Sequence, residues 1–194
     1  YFQIQWFKTD KIKNGFLAGV FTGITIFVKV PLIFFTGVPF AVLVLLKGIK
    51  YSFQKGRVYW FALLAILPAL AYYIYRIILD PTGSGGGILE SRFFPQLLIQ
   101  LNWYVGWIKM IKDVAGHFAL MVGLFAFFVI PQKENRLFYG SLLLGYFLYG
   151  LVFNYHIYTH NYYHLPLLPV LAIGFGFVFA ILYRYLEEMN RNRI

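Results

Sequence analysis

Three histidines recur at four-residue intervals in one polar stretch between two long apolar runs: His156, His160 and His164. Tyrosines stand among them, at Tyr155, Tyr158, Tyr162 and Tyr163. On a helix this spacing would place three imidazoles along one face. Imidazole and phenol groups both donate hydrogen bonds to phosphate and sugar oxygens. The stretch from Asn154 to Pro169 is therefore the candidate site.

Three interpretations of these histidines remain open. A metal or haem site is the least supported, because the one other histidine is His117 and no His-Glu-x-x-His motif occurs. The rings could instead anchor the chain at the level of the lipid headgroups. We favour a polar site that binds a phosphate or a sugar. No cofactor and no metal ligand set are predicted.

Two further cations are candidates for contact with a phosphate. Lys29 stands between apolar runs beside Pro31, where it either extends its ammonium group to the membrane surface or faces an anionic substrate. Arg92 follows Glu90 in a loop, where the two are either solvated charges or contacts for a phosphate and an acceptor.

The composition indicates a membrane protein. Of 194 residues, 60% are hydrophobic and 12% are charged, against about 45–50% and about 25% in a soluble domain. The net charge is +10, but the basic residues lie beside apolar segments. Such charges set topology and bind anionic headgroups, so membrane lipids are expected partners and nucleic acid is not. Cysteine is absent, which excludes disulfides and thiolate metal sites.

An apolar run from Gly15 to Leu46 is interrupted at Lys29, Val30 and Pro31. As one helix it would be about 48 Å long, against a hydrocarbon core of roughly 30 Å. The alternatives are one kinked span or a hairpin of two short spans. The hairpin places twelve basic residues on one side and four on the other, with Lys29 at its tip, whereas the kinked span gives at best seven against nine. We therefore predict the hairpin.

The predicted fold class is all-α, a polytopic membrane protein with about six transmembrane segments plus an interfacial helix. Residues 1–194 form a single transmembrane domain with both termini cytoplasmic. After the hairpin, the predicted spans are Tyr59–Leu79, Val114–Ile130, Leu137–Phe153 and Leu165–Tyr185. Residues 80–113 form an extracytoplasmic loop that contains a flexible run, Gly83–Gly87, and an aromatic interfacial helix rather than a seventh span. The tip at Lys29, this loop and the 154–164 stretch are expected to meet outside.

Glycines in the first span recur every fourth residue, at Gly15, Gly19 and Gly23. This spacing is typical of a helix-contact face and predicts packing rather than chemistry. Phosphate-cradling and dinucleotide-binding glycine motifs are absent from the sequence.

Two patterns resemble a known family: Gly19-x3-Gly23-x5-Lys29-x-Pro31, and His160-Asn-Tyr162-Tyr163-His164-Leu-Pro166-Leu-Leu-Pro169. The chain resembles the C-terminal portion of polytopic glycosyltransferases of the C superfamily, the family 39 type related to protein O-mannosyltransferases and aminoarabinose transferases. The resemblance implies a bacterial inner-membrane protein that moves a sugar from a polyprenyl-phosphate carrier to a glycan, lipid or protein acceptor outside the membrane.

The resemblance also implies roles for particular residues. Lys29, His160, Tyr162, Tyr163 and His164 would lie near the lipid phosphate. The family's catalytic carboxylate lies in an early extracytoplasmic loop that no position of this sequence matches, so it is expected outside this chain. The natural protein is then expected to extend beyond Tyr1. A lipid-linked-sugar flippase, a small-solute transporter and a non-catalytic membrane scaffold are the alternatives.

Overall fold

A computed structural model describes residues 1–54, 56–79 and 93–191, without the side chains of Gln54 and Arg57. All regular structure in these ranges is helical, and the chain is an all-α polytopic membrane protein. Arg92, Glu90 and the Gly83–Gly87 run lie outside the described residues. The chain divides into two compact units, Tyr1–Glu90 and Ser91–Ile194, where the sequence predicts a single domain.

The first unit contains five helices among its described residues. They are α1 (Phe2–Thr9), α2 (Ile12–Val28), α3 (Ile33–Lys47), α4 (Ile49–Gln54) and α5 (Arg57–Leu79). A 3-10 turn at Val30–Leu32 joins α2 to α3, directly after Lys29 adopts an extended conformation (φ −153°, ψ 102°). The predicted break therefore occurs at the predicted residues.

The short helix α1 lies against both α2 and α3 and reveals their relative direction. Nε2 of Gln3 donates to Oγ1 of Thr22, late in α2, and to the carbonyl of Thr36, in the first turn of α3. At the other end of α1, Nζ of Lys47 lies 2.9 Å from Oδ1 of Asp10, just before α2 begins. Because the end of α3 returns to the start of α2, the two helices run antiparallel, as the predicted hairpin requires and as one kinked helix would not. That α2 crosses the membrane stays a prediction.

The glycines at four-residue intervals do form a helix-contact face, as predicted. A side chain at Gly19 would meet Leu64 of α5, and one at Gly23 would meet the backbone carbonyl of Leu64. A side chain at Gly15 would lie 2.9 Å from the indole of Trp6. Without side chains at these positions, α1 and α5 approach α2 closely, and α5 runs parallel to it.

The second unit begins with a 3-10 turn at Pro95–Leu97 and continues through the remaining helices. They are α6 (Leu101–Val129), α7 (Lys133–Val152), α8 (Asn154–Thr159) and α9 (Leu167–Arg191), with a 3-10 turn at Asn161–His164. Gly116 breaks α6 with φ 76° and ψ 156°. The sequence predicts a change from interfacial helix to span at Asp113–Val114, and the break lies three residues later. An interfacial position for the segment before Gly116 stays a prediction.

Four segments of the described chain are long and apolar enough to cross a membrane: Val30–Lys47, Val58–Leu79, Leu101–Val129 and Leu167–Arg191. Ile12–Val28 is apolar but has 17 residues, and α7 mixes apolar residues with tyrosine, serine and glycine. A multi-pass protein follows from the four segments. The spans predicted at α2 and α7, which would bring the number to six, stay predictions.

Candidate functional site

The candidate site lies in the second unit, in the connection between α7 and α9. Helix α8 ends at Thr159, His160 is extended (φ −133°, ψ 115°), and a 3-10 turn follows. This break prevents a continuous face of three histidines, because His164 turns into the interior instead of following His156 and His160. No three His, Asp or Glu side chains within the described ranges are grouped to hold a metal ion.

Four rings of this connection stack into what we call the ring shelf: His156, His160, Tyr162 and Tyr163. The centroids of His156 and His160 are 5.5 Å apart with the rings 23° from parallel, as expected for positions four residues apart. Tyr163 lies 4.9 Å from His156 and 4.8 Å from Tyr162. The shelf thus brings together three of the predicted site residues, and adds His156.

The outer edge of the ring shelf is open. Tyr162 is 49% exposed and His160 is half-buried, whereas Tyr163 is 9% exposed and stacks on Tyr149 of α7. Tyr163 is therefore the innermost ring of the shelf, and Tyr162 is the more exposed of those two tyrosines.

The hydrogen bonds of Thr159 determine which nitrogen of His160 carries a proton. The Thr159 hydroxyl donates to the Tyr155 carbonyl at 2.8 Å, and its oxygen lies 2.7 Å from Nδ1 of His160. Because a hydroxyl has one proton, Nδ1 must donate to Thr159. Nε2 then accepts a hydrogen bond from a hydroxyl when the ring is neutral, and donates to a phosphate oxygen when the ring is cationic.

His164 occupies a buried hydrogen-bonded chain. It is 1% exposed, and its Nε2 lies 2.9 Å from the Ile157 carbonyl, which can only accept. Nδ1 therefore accepts from the Tyr146 hydroxyl at 2.6 Å, and that oxygen in turn accepts from Nε1 of Trp107 at 2.8 Å. Burial lowers the pKa of His164 from 6.5 to about 4, against the opposing effect of the Ile157 hydrogen bond.

These contacts leave neither nitrogen of His164 to a ligand. The sequence predicts that His164 contacts the lipid phosphate, and this geometry gives that prediction no support. Its side chain instead ties the 3-10 turn to α7 and α8, and so holds the ring shelf in place.

Asn154, at the start of α8, fixes the segment before α6 to the same connection. It is fully buried, its Oδ1 accepts from the Phe94 amide, and its Nδ2 donates to the Phe94 carbonyl, both at 2.9 Å. Nε1 of Trp103 donates to the Asn154 carbonyl at 2.7 Å. For residues 93–113, the expected contact between the 80–113 loop and the 154–164 stretch is therefore confirmed.

Two glycines allow the aromatic residues of this region to approach the backbone. A side chain at Gly150 of α7 would collide with the Trp107 indole, and one at Gly106 of α6 would collide with the Tyr158 ring. These contacts press the first part of α6 onto the end of α7 and onto α8. The connection that carries the shelf is therefore packed against aromatic side chains of α6 and α8.

The two remaining predicted site residues lie elsewhere. Lys29 is half-buried at the end of α2, in the first unit. Arg92 lies outside the described residues. Sequence reasoning assigned no role in the site to the supporting residues Trp103, Trp107 and Tyr146, for which the sequence offered only its high aromatic content of 22%.

No acidic residue of the second unit's described part is placed in the shelf. Asp113 lies in α6, Glu134 in the first turn of α7, and Glu187 and Glu188 near the end of α9. The shelf can therefore bind and orient a ligand through rings, a hydroxyl and an imidazole. A carboxylate general base would have to come from elsewhere.

Comparisons of the chain with protein-family profiles, with characterised proteins and with solved structures find no match. Its functional interpretation rests on the site's geometry and on the resemblance of its motifs.

Proposed function

We propose that this chain carries the donor-binding part of a bacterial inner-membrane glycosyltransferase, which moves a sugar from a polyprenyl-phosphate carrier to an extracytoplasmic acceptor. The observation that carries the proposal is the ring shelf, with the exposed groups of His160 and Tyr162, directly before the membrane-length helix α9. A lipid-linked sugar has its phosphate and its sugar at this level and its isoprenoid chain in the membrane.

Each exposed group of the shelf suits one part of such a donor. The apolar C–H face of a sugar packs on an aromatic ring, and Tyr162 offers a half-exposed ring. The imidazole of His160 and the hydroxyl of Tyr162 each offer a hydrogen-bond donor for a phosphate oxygen. Such donors stabilise the negative charge that develops when the bond between the sugar carbon and the phosphate oxygen breaks.

The acceptor side of the reaction needs a group that the shelf does not contain. As the acceptor oxygen bonds to the sugar carbon, its proton must pass to a base. We assign that base to a carboxylate outside this chain, where the resemblance places the family's catalytic carboxylate. Lys29 and Arg92 remain candidates for additional contact with the donor.

Binding of undecaprenyl phosphate to the purified chain in lipid nanodiscs tests the proposal. His160→Ala and Tyr162→Ala should each weaken binding by about tenfold, because each removes a hydrogen bond to a charged group. The matched controls are His117→Ala, an exposed histidine of α6, and Tyr183→Ala, an exposed tyrosine near the other end of α9. Equal affinity in all four variants would refute a donor site at the shelf.

A further inference from the structure

A groove of about 280 Å³ opens in the first unit where α2 and α5 both begin. Its walls come from Ile12, Gly15 and Phe16 of α2 and from Trp60, Phe61 and Leu64 of α5. Ligand pockets for small molecules measure about 300–1,000 Å³. A groove of this size therefore suits a length of hydrocarbon chain rather than a whole lipid.

The floor of the groove is rigid. Trp6 of α1 contributes to it and stacks on Phe61 at 5.8 Å and on Phe40 at 6.0 Å. Gly15 allows this indole to lie directly on α2, since a side chain there would collide with it. The groove is consequently formed before any ligand arrives, which lowers the entropic cost of binding.

The rim of the groove is apolar and open. Ile12 is 74% exposed, Phe16 57% and Trp60 68%. In a membrane protein these side chains meet lipid, and a groove between them can hold one acyl chain more closely than the flat surface of a helix does.

Two positively charged residues stand next to a lining residue of the groove in the sequence. Lys11 and Lys13 flank Ile12 in the sequence and both are exposed. Asp10 is the only acidic residue between positions 1 and 79. Its carboxylate binds Lys47 at 2.9 Å and accepts from the Tyr51 hydroxyl at 2.6 Å. Lys11 and Lys13 form no ion pair within the described residues, so their charge can attract an anion.

We propose that this groove is a binding site for an anionic phospholipid, with one acyl chain between α2 and α5 and the phosphate held by Lys11 and Lys13. Neither an apolar surface nor a basic one would select such a lipid alone. Their combination does, because a phospholipid carries its phosphate and its acyl chains on one glycerol backbone. The site is independent of the ring shelf and of the proposed sugar transfer.

Quenching of tryptophan fluorescence by brominated acyl chains tests this proposal, because Trp60 lines the groove and bromine quenches only near contact. The full chain is placed in phosphatidylcholine nanodiscs with a small fraction of brominated phosphatidylglycerol or, in parallel, brominated phosphatidylcholine. We expect brominated phosphatidylglycerol to reach the same quenching at a mole fraction severalfold to about tenfold lower than brominated phosphatidylcholine. Trp60→Phe should remove the larger part of the quenching, because Trp60 is 68% exposed whereas Trp6, on the groove floor, is 9% exposed. Trp103 and Trp107 are buried in the second unit and should contribute little.

Matched charge variants decide whether the preference for the anionic lipid comes from this site or from the net positive charge of the whole protein. Lys11→Gln with Lys13→Gln should abolish the preference for the anionic lipid. Lys133→Gln with Arg136→Gln, which changes the net charge equally at the start of α7, should retain it. Equal quenching by both brominated lipids in the unaltered chain, or equal loss in the two double variants, would overturn the proposal.

Discussion

The hydroxyl of Tyr146 lies 2.6 Å from Nδ1 of His164, and this hydrogen bond joins α7 to the 3-10 turn beneath the ring shelf. The same hydroxyl accepts from Trp107 of α6. One oxygen therefore links three segments that are far apart in the sequence. These buried hydrogen bonds help to hold the shelf in place, because a hydrogen bond in an apolar interior is costly to break.

Tyr146→Phe should destabilise the protein by about 2–3 kcal/mol, because it leaves a buried donor on Trp107 and a buried acceptor on His164 unsatisfied. The expected result is a lower melting temperature in detergent, measured by tryptophan fluorescence. Tyr104→Phe is the matched control, since that hydroxyl binds the Leu98 carbonyl in an exposed setting. If Tyr104→Phe lowered the melting temperature as much as Tyr146→Phe, the role assigned to the Tyr146 hydroxyl would be contradicted.

Stability should depend on pH through His164. Its pKa is about 4 in the folded protein and 6.5 when unfolded, so folding favours the neutral ring. This contribution is fully present above pH 6.5 and is lost as the pH falls toward 4, a change on the order of 3 kcal/mol.

His164→Gln isolates that contribution, because glutamine keeps an acceptor and a donor but does not titrate. The difference in melting temperature between the unaltered chain and this variant should shrink as the pH is lowered from 7 to about 4. A difference that stays constant over this interval would show that His164 is not the titrating group.

Gly116 is required by its backbone conformation. At φ 76° a side chain is strained, although nothing lies within 4 Å of where its Cβ would be. Gly116→Ala should therefore cost about 1 kcal/mol or more through backbone strain alone. Gly176→Ala, in α9 with equally open surroundings, should instead stabilise its helix by about 1 kcal/mol. Shifts of the same sign in the two variants would contradict the break at Gly116.

The predicted topology places the shelf outside and the start of α7 inside. Because the chain has no cysteine, single-cysteine variants report positions without background. Asn161→Cys, exposed in the 3-10 turn, should react with a membrane-impermeant maleimide in intact cells. Lys133→Cys should react only after the cells are permeabilised. The reverse pattern would place the shelf in the cytoplasm and exclude an extracytoplasmic transfer.

Much of the fold could be predicted because membrane helices depend on features that are local in sequence. The apolar run of α5 and the break at Lys29 lie where hydropathy and Pro31 place them. The hairpin followed from the distribution of basic residues, which reflects how charges cross a membrane. The position of α1 could not be predicted, since it depends on Trp6 fitting over Gly15 and against Phe61.

The site was predicted only in part, for a related reason. The four-residue spacing correctly placed the rings of His156 and His160 on one side, although His160 lies just beyond the end of α8. The same spacing failed at His164, since periodicity does not reveal that α8 ends at Thr159. The burial of His164 depends on Tyr146 and Trp107, which belong to other helices. Such contacts cannot be recognised from the sequence around His164.

The central claim, that the ring shelf receives a polyprenyl-phosphate sugar, is tested most directly by photocrosslinking. A donor analogue with a diazirine on the sugar is irradiated with the chain in membranes, and the labelled peptide is sequenced. We predict adducts within residues 155–163 that unlabelled undecaprenyl phosphate prevents and that Tyr162→Ala reduces. Adducts confined to other segments, or labelling that Tyr162→Ala leaves unchanged, would contradict the claim.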